Sequence, residues 1–167
     1  MGHESFVYGL IAGADRNPNE ARANAAVIAG LPESDAWPFL TRVMFTIPPE
    51  TVVGGHYRSQ AIHFGASYKS VEWEWAEWLE KFEALLVRLV WKQAWVHLRA
   101  DCVGDYDYRY ALIDYSCHRP GHATADWRLR GGPRNFPFSP ALATQWDNAS
   151  SWIFAGGVWS PEDGAQP

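Results

Sequence analysis

The chain has 167 residues, a length that suits one domain, and its 47% hydrophobic and 20% charged composition excludes a disordered or fibrous polypeptide. Fourteen Lys and Arg against nineteen Asp and Glu leave a net charge of −5, which argues against a broad nucleic-acid footprint and favours a basic or neutral partner. Ten Trp, seven Tyr and eight Phe are a heavy load of side chains that bury large areas in cores and at the centres of interfaces.

The first element, Ser5–Gly13, reads as a strand of β-branched and aromatic residues closed by Gly13. It is not read as a secretory signal, because Glu4 stands where a basic residue belongs, nor as a myristoylation site, because position 6 is Phe. A helix follows: Asn17 can cap it, Pro18 suits the first helical position, Glu20 the third, and Gly30 is placed to end it. Pro38–Thr46 and Thr51–Ser67 read as two further extended segments.

Val71–Trp91 carries the clearest period. Trp75, Trp78, Leu79, Phe82, Leu85, Leu86 and Leu89 recur at the three-and-four spacing of one buried face, with Ser70 placed as a cap. Projection at about 100° per residue sets Trp73 opposite that stripe, beside Glu77 and Glu80. Ala84–Trp91, broken by Arg88, is far short of the roughly 20 apolar residues of a membrane span. A cytoplasmic location is expected.

From Ala94 the period switches to two, with Ala94, Val96, Leu98, Ala100 and Cys102 on one face and Trp95, His97, Arg99 and Asp101 on the other. Gly104-Asp105-Tyr106-Asp107 reads as a hairpin turn, and a register centred on Asp105 and Tyr106 sets His97 opposite Asp114 and Asp101 opposite Tyr110. Tyr108, Tyr110, Leu112 and Asp114 then lie on the polar face. Ala123–Arg130 reads as a third strand, with Trp127 and Leu129 inward and Arg128 and Arg130 outward.

The expected fold is α+β, a two-layer domain over residues 1–132. A mainly antiparallel sheet of about six strands carries two helices on one face, in the order β-α-β-β-α-β-β-β. Residues 133–167 read as an irregular tail that docks Trp146, Trp152 and Trp159 on the body.

No phosphate-binding glycine loop, nucleophile elbow, CxxC pair or HExxH motif occurs. Cys117, His118 and His122 are residue types that bind zinc, with Cys102, His56 or His63 as further ligands. The hairpin register separates Cys102 from Cys117 by roughly 26 Å, which favours structural cysteines. His97 facing Asp114 could be an oriented general base, but no nucleophile stands beside it, and a solvated cross-strand pair is the simpler reading. Arg119, Arg128, Arg130 and Arg134 form a local basic patch on an acidic chain. No catalytic residue, cofactor or metal site is assigned.

The interface-type residues instead suggest partner binding. The candidate surfaces are the polar sheet face with Trp95, His97, Arg99, Tyr108, Tyr110 and Asp114; the turn with Asp101, Asp105, Tyr106 and Asp107; and the helix side with Trp73, Glu77 and Glu80. Two alternatives stand beside this reading. One is a ligand- or metal-binding protein or enzyme using the His97 and Asp114 face or the Cys117–His122 segment. The other is a homodimer that buries the same aromatics.

Three segments carry a family likeness: Trp37-Pro38-Phe39-Leu40-Thr41-Arg42; Ile62-His63-Phe64-Gly65-Ala66-Ser67-Tyr68-Lys69 running into Glu72-Trp73-Glu74-Trp75; and Trp78-Leu79-Glu80-Lys81-Phe82-Glu83. In these the chain resembles small bacterial immunity proteins encoded beside secreted polymorphic toxins of the Rhs or type VI secretion kind, over about residues 1 to 115. The resemblance implies a cytoplasmic protein that binds a cognate toxin domain and blocks its active site or its access to substrate.

Overall fold

The computed structural model describes residues 2–15, 17–48, 59–121, 127–139, 141, 149–155 and 157–162. Among them the chain forms one antiparallel sheet of eight strands with two helices, an α+β architecture. The elements are β1 (Glu4–Asp15), α1 (Pro18–Ala29), β2 (Phe45–Thr46), β3 (Ser59–Lys69), α2 (Trp75–Arg88), β4 (Gln93–Ala100), β5 (Gly104–Leu112), β6 (Trp127–Arg130), β7 (Ser151–Ala155) and β8 (Val158–Pro161). Across the sheet the order is β2-β3-β1-β4-β5-β6-β7-β8, so the N-terminal strand lies between β3 and β4.

Helix α1 starts where the capping chemistry places it. The Asn17 side chain accepts from the amides of Asn19 and Glu20, both at 3.2 Å, Pro18 opens the helix, and the Gly30 amide closes on Ala26 O at 3.0 Å. Its buried Asn24 bridges elements: Nδ2 donates to Val90 O at 2.8 Å and to Gln60 Oε1 at 3.1 Å, while Oδ1 accepts from Val90 N at 2.8 Å. These bonds tie α1 to β3 and to the segment after α2, on the same sheet face that α2 covers.

The second helical region is shorter than its period suggests. Val71–Glu74 is a 3-10 turn and the α-helix runs from Trp75 to Arg88. Ser70 holds the N-cap position of the 3-10 turn, at φ 57° in the left-handed region, but its side chain makes no capping bond and its hydroxyl donates to His3 O. The apolar stripe packs as read. Trp75, Trp78, Leu79, Phe82, Leu85, Leu86 and Leu89 are buried, and Trp75 stacks on Trp78 at 5.1 Å, which in turn stacks on Phe82 at 5.3 Å. Each such side chain taken fully out of water contributes about 1.5–3 kcal/mol. Val7, Ile11, Ile62, Phe64, Ala94, Val96 and Leu98 meet this helix from the sheet.

The β4–β5 register corrects the reading of the hairpin. Ala94 pairs with Tyr110, Val96 with Tyr108 and Leu98 with Tyr106, while His97 pairs with Asp107 rather than Asp114. The turn is Asp101-Cys102-Val103, and Gly104 enters β5 at φ +94°, a conformation that favours glycine. The observed pairing is displaced from the expected one by an odd number of residues, and with a side-chain period of two that displacement inverts every face assignment on β5. Tyr108 and Tyr110 therefore lie in the core, each fully buried, instead of on the polar face.

Other differences follow from short elements. Of Pro38–Thr46 only Phe45–Thr46 is strand, preceded by a 3-10 turn at Arg42–Met44 and a cis Trp37–Pro38 bond. Strand β3 begins at Ser59, and the expected extension through residues 51–58 lies outside the described residues, as do His56, residues 122–126 and Trp146. The segment expected to be an irregular tail supplies β7 and β8, which raises the strand count above six and extends the sheet beyond β6.

One carboxylate anchors those added strands. Glu83 on α2 accepts from Tyr110 Oη at 2.8 Å, from Arg134 Nη2 at 2.9 Å and from Trp159 Nε1 at 3.0 Å, with Arg134 also lying 4.8 Å over the Trp159 ring. Trp152 is buried and its Nε1 donates to Gly132 O at 3.1 Å. The preceding Gly131, at φ +128°, lies so close to β5 that a Cβ would stand 1.6 Å from Asp107 O.

Candidate interaction surface

A sheet with both helices on one side presents its other side to solvent. Alternation along each strand decides what stands there. On β1 Val7 and Ile11 point into the core, so Phe6, Tyr8 and Leu10 point outward. Phe6 and Tyr8 keep 41% and 49% of their area exposed. On β4 the outward residues are Trp95, His97 and Arg99; on β5 they are Asp105, Asp107 and Arg109.

The ladder sets these side chains in rows. Tyr8, His97 and Asp107 are lateral neighbours, as are Leu10, Trp95 and Arg109, and as are Phe6, Arg99 and Asp105. The Tyr8 and His97 rings lie 4.7 Å apart. His97 Nδ1 is 2.6 Å from Asp107 Oδ1, while the Asp107 side chain remains 86% exposed. Aromatic faces, an imidazole and two signs of charge thus sit side by side with no covering layer among the described residues.

The expected partner-binding residues divide. Trp95, His97, Arg99, Asp105 and Asp107 share the open face, and Asp101 adjoins it at the turn, where its carboxylate accepts from the Glu4 amide at 3.3 Å. Tyr106 is half-buried on the core side against Phe136 at 5.1 Å. Tyr108 and Tyr110 are core residues whose hydroxyls donate to Pro133 O and to Glu83. Asp114 lies in the turn after β5, where hydrogen bonds from Ser116 hold its carboxyl below the usual range. Trp73 packs edge-on against Phe138 at 5.1 Å, and it belongs with Glu77 and Glu80 to the helical layer on the opposite side of the sheet.

Phe6, Tyr8, Leu10 and Arg109 were missed as face residues. On β1 both alternating sets are apolar or aromatic, so the sequence reads as a strand buried on both sides and names no outer face. Arg109 was hidden by the misplaced register.

His118 is 1% exposed and satisfied as a core histidine. It exchanges backbone bonds with Trp91, its Nδ1 accepts from Trp127 Nε1 at 3.4 Å, and its Nε2 therefore carries the proton toward Val87 O at 3.2 Å. Cys117 is half-buried beside it, whereas Cys102 is exposed at the far end of β4, and His63 stands on the outer face of β3. Among the described residues no three His, Cys, Asp or Glu side chains converge as metal ligands would. The basic patch resolves into ion pairs, Arg119 with Glu20, Arg134 with Glu83, and Arg128 and Arg130 with Glu162.

The segments that carry the family likeness converge in space. Phe39 stacks on Tyr68 at 4.5 Å, Trp37 meets the same ring edge-on at 5.9 Å, Trp78 Nε1 donates to Tyr68 Oη at 2.9 Å, and Lys81 reaches Asp35 at 2.7 Å. No helix is long and apolar enough to cross a membrane among the described residues. No known protein-family model, curated protein or solved structure matches the chain.

Proposed function

We propose that the chain is a cytoplasmic immunity protein that binds a cognate secreted antibacterial toxin domain and blocks it, using the open face of the sheet. The carrying observation is the cluster of Tyr8, Trp95 and His97 on an uncovered surface, flanked by Phe6, Arg99, Asp107 and Arg109. Tyr, Trp and Arg are the side chains that dominate binding energy when a partner desolvates them. Aromatic rings gathered in one uncovered patch, as Phe6, Tyr8 and Trp95 are, are typical of interaction sites. The likeness of the Trp37, Ile62 and Trp78 segments to immunity proteins supplies the kind of partner.

The test is capture of the tagged protein from its native bacterium, followed by expression of the retained polypeptide's domain on its own. Growth arrest by that domain, relieved by the wild-type chain but not by the Tyr8→Ala/Trp95→Ala variant, is the expected result. Loss of two such anchors lowers affinity by about a hundredfold or more. A variant that protects as well as wild type overturns the surface. A metal or small molecule retained in place of a protein overturns the immunity reading in favour of a ligand site.

A further inference from the structure

The open face is self-complementary. In one row across β1, β4 and β5 stand Tyr8, His97 and Asp107; two residues along each strand, in the next outward row, stand Leu10, Trp95 and Arg109. We propose that this face docks a second copy of the chain about a two-fold axis parallel to the plane of the sheet and midway between the two facing copies, running across the strands and between these two rows. Such an axis lays each row on the other. Asp107 of one copy meets Arg109 of the second, His97 meets Trp95, and Tyr8 meets Leu10, each contact occurring twice.

Three observations carry this assignment. A two-fold interface uses one patch on both subunits, so it requires complementary groups within a single surface, and here the negative and positive members are neighbours on one strand. Asp107 keeps its side chain 86% exposed despite the contact with His97, and so can accept a further donor. Arg109 has no hydrogen-bond or ion-pair partner among the described residues, and in the ladder it stands directly opposite Arg130, whose nearest carboxylate is Glu162 at 3.8 Å. Like charges directly opposed are unfavourable, and an incoming carboxylate relieves them.

The geometry of stacked sheets agrees. Facing sheets lie about 10 Å apart with strands about 30° from alignment, so side-chain matching is best kept near the axis, where all three pairs lie. A polyanion is a poorer occupant, because Asp105 and Asp107 share the face.

This inference rests on the reading of the face as a docking surface: the dimer is the form of the chain without toxin, and a toxin that takes the face displaces the second copy. The test contains no toxin, so a failure of the dimer and a failure of the immunity reading are distinguishable. Sedimentation equilibrium of the purified full chain across a concentration series should give a mass rising from one copy toward two. Asp107→Arg and Arg109→Asp should each raise the dimer dissociation constant about tenfold or more. An equimolar mixture of the two variants should regain the wild-type association, since every cross-interface pair in the mixed dimer is again of opposite sign. Both positions are exposed, so unchanged thermal unfolding of each variant shows that it is folded. A monomer at every concentration overturns the proposal. A dimer indifferent to both substitutions, or weakened by both without recovery in the mixture, overturns it equally.

Discussion

Arg134 closes on Glu83 with both terminal guanidinium nitrogens, and the two side chains keep only 12% of their area exposed. Removing one member of a buried pair leaves the other charged and uncompensated, which costs about 3–5 kcal/mol. Glu83→Ala is therefore expected to lower the urea midpoint of unfolding by that equivalent. Glu83→Leu combined with Arg134→Met should recover only part of the loss, because no buried charge is then stranded while Tyr110 Oη and Trp159 Nε1 still lose their acceptor. Equal destabilisation of single and double variants would show that the pair acts mainly through its packing.

Tyr68, Tyr108 and Tyr110 give the protein an alkaline limit. Burial is the largest cause and pushes all three phenols up, Tyr68 to about 12. Their ionisation is easier in the unfolded chain, near 10. With the folded value above the unfolded one, the stabilisation is complete below pH of about 10 and is lost as pH rises toward 12. Each tyrosine should add about 1.4 kcal/mol of lost stability per pH unit in that window. Urea unfolding across the window measures it, and Tyr68→Phe should reduce the slope by one tyrosine's share.

Cys102 is exposed yet should be a slow nucleophile. Partial desolvation and the nearby Glu72 and Asp101 carboxylates push its thiol up, which lowers the thiolate fraction near neutral pH. Alkylation followed by mass mapping should find Cys102 reacting more slowly in the folded protein than in the urea-unfolded chain, and Asp101→Asn should speed it. Equal rates in folded and unfolded chains would show that the carboxylates do not govern the thiol.

Helix α1 was readable because its ends are written in local chemistry: Asn17, Pro18 and Gly30 each act within one turn. The stripe of α2 was readable because seven large apolar side chains repeat at one angle. The hairpin was not, for a reason lodged in two tyrosines. A tyrosine suits a core or a surface equally, and Tyr108 and Tyr110 are core residues only because Pro133 and Glu83 arrive from distant segments to accept their hydroxyls. With those partners invisible in sequence, Gly104-Asp105-Tyr106-Asp107 competed as the turn, and the slip carried Arg109 and Asp114 to the wrong places. The open face itself was half legible: β4 alternates clearly, while β1 has no polar side to declare. Strands β7 and β8 are five and four residues long, too short to show a period.

The central place of β1 bears on how the chain is born. Strand β1 leaves the ribosome before both of its neighbours, β3 and β4, so its second edge is not covered until about residue 100 has been made. Through that interval a twelve-residue apolar strand has bare amides and carbonyls on offer to any other nascent chain. Synthesis rate and chaperone supply, more than the stability of the finished sheet, should govern how much protein a cell recovers.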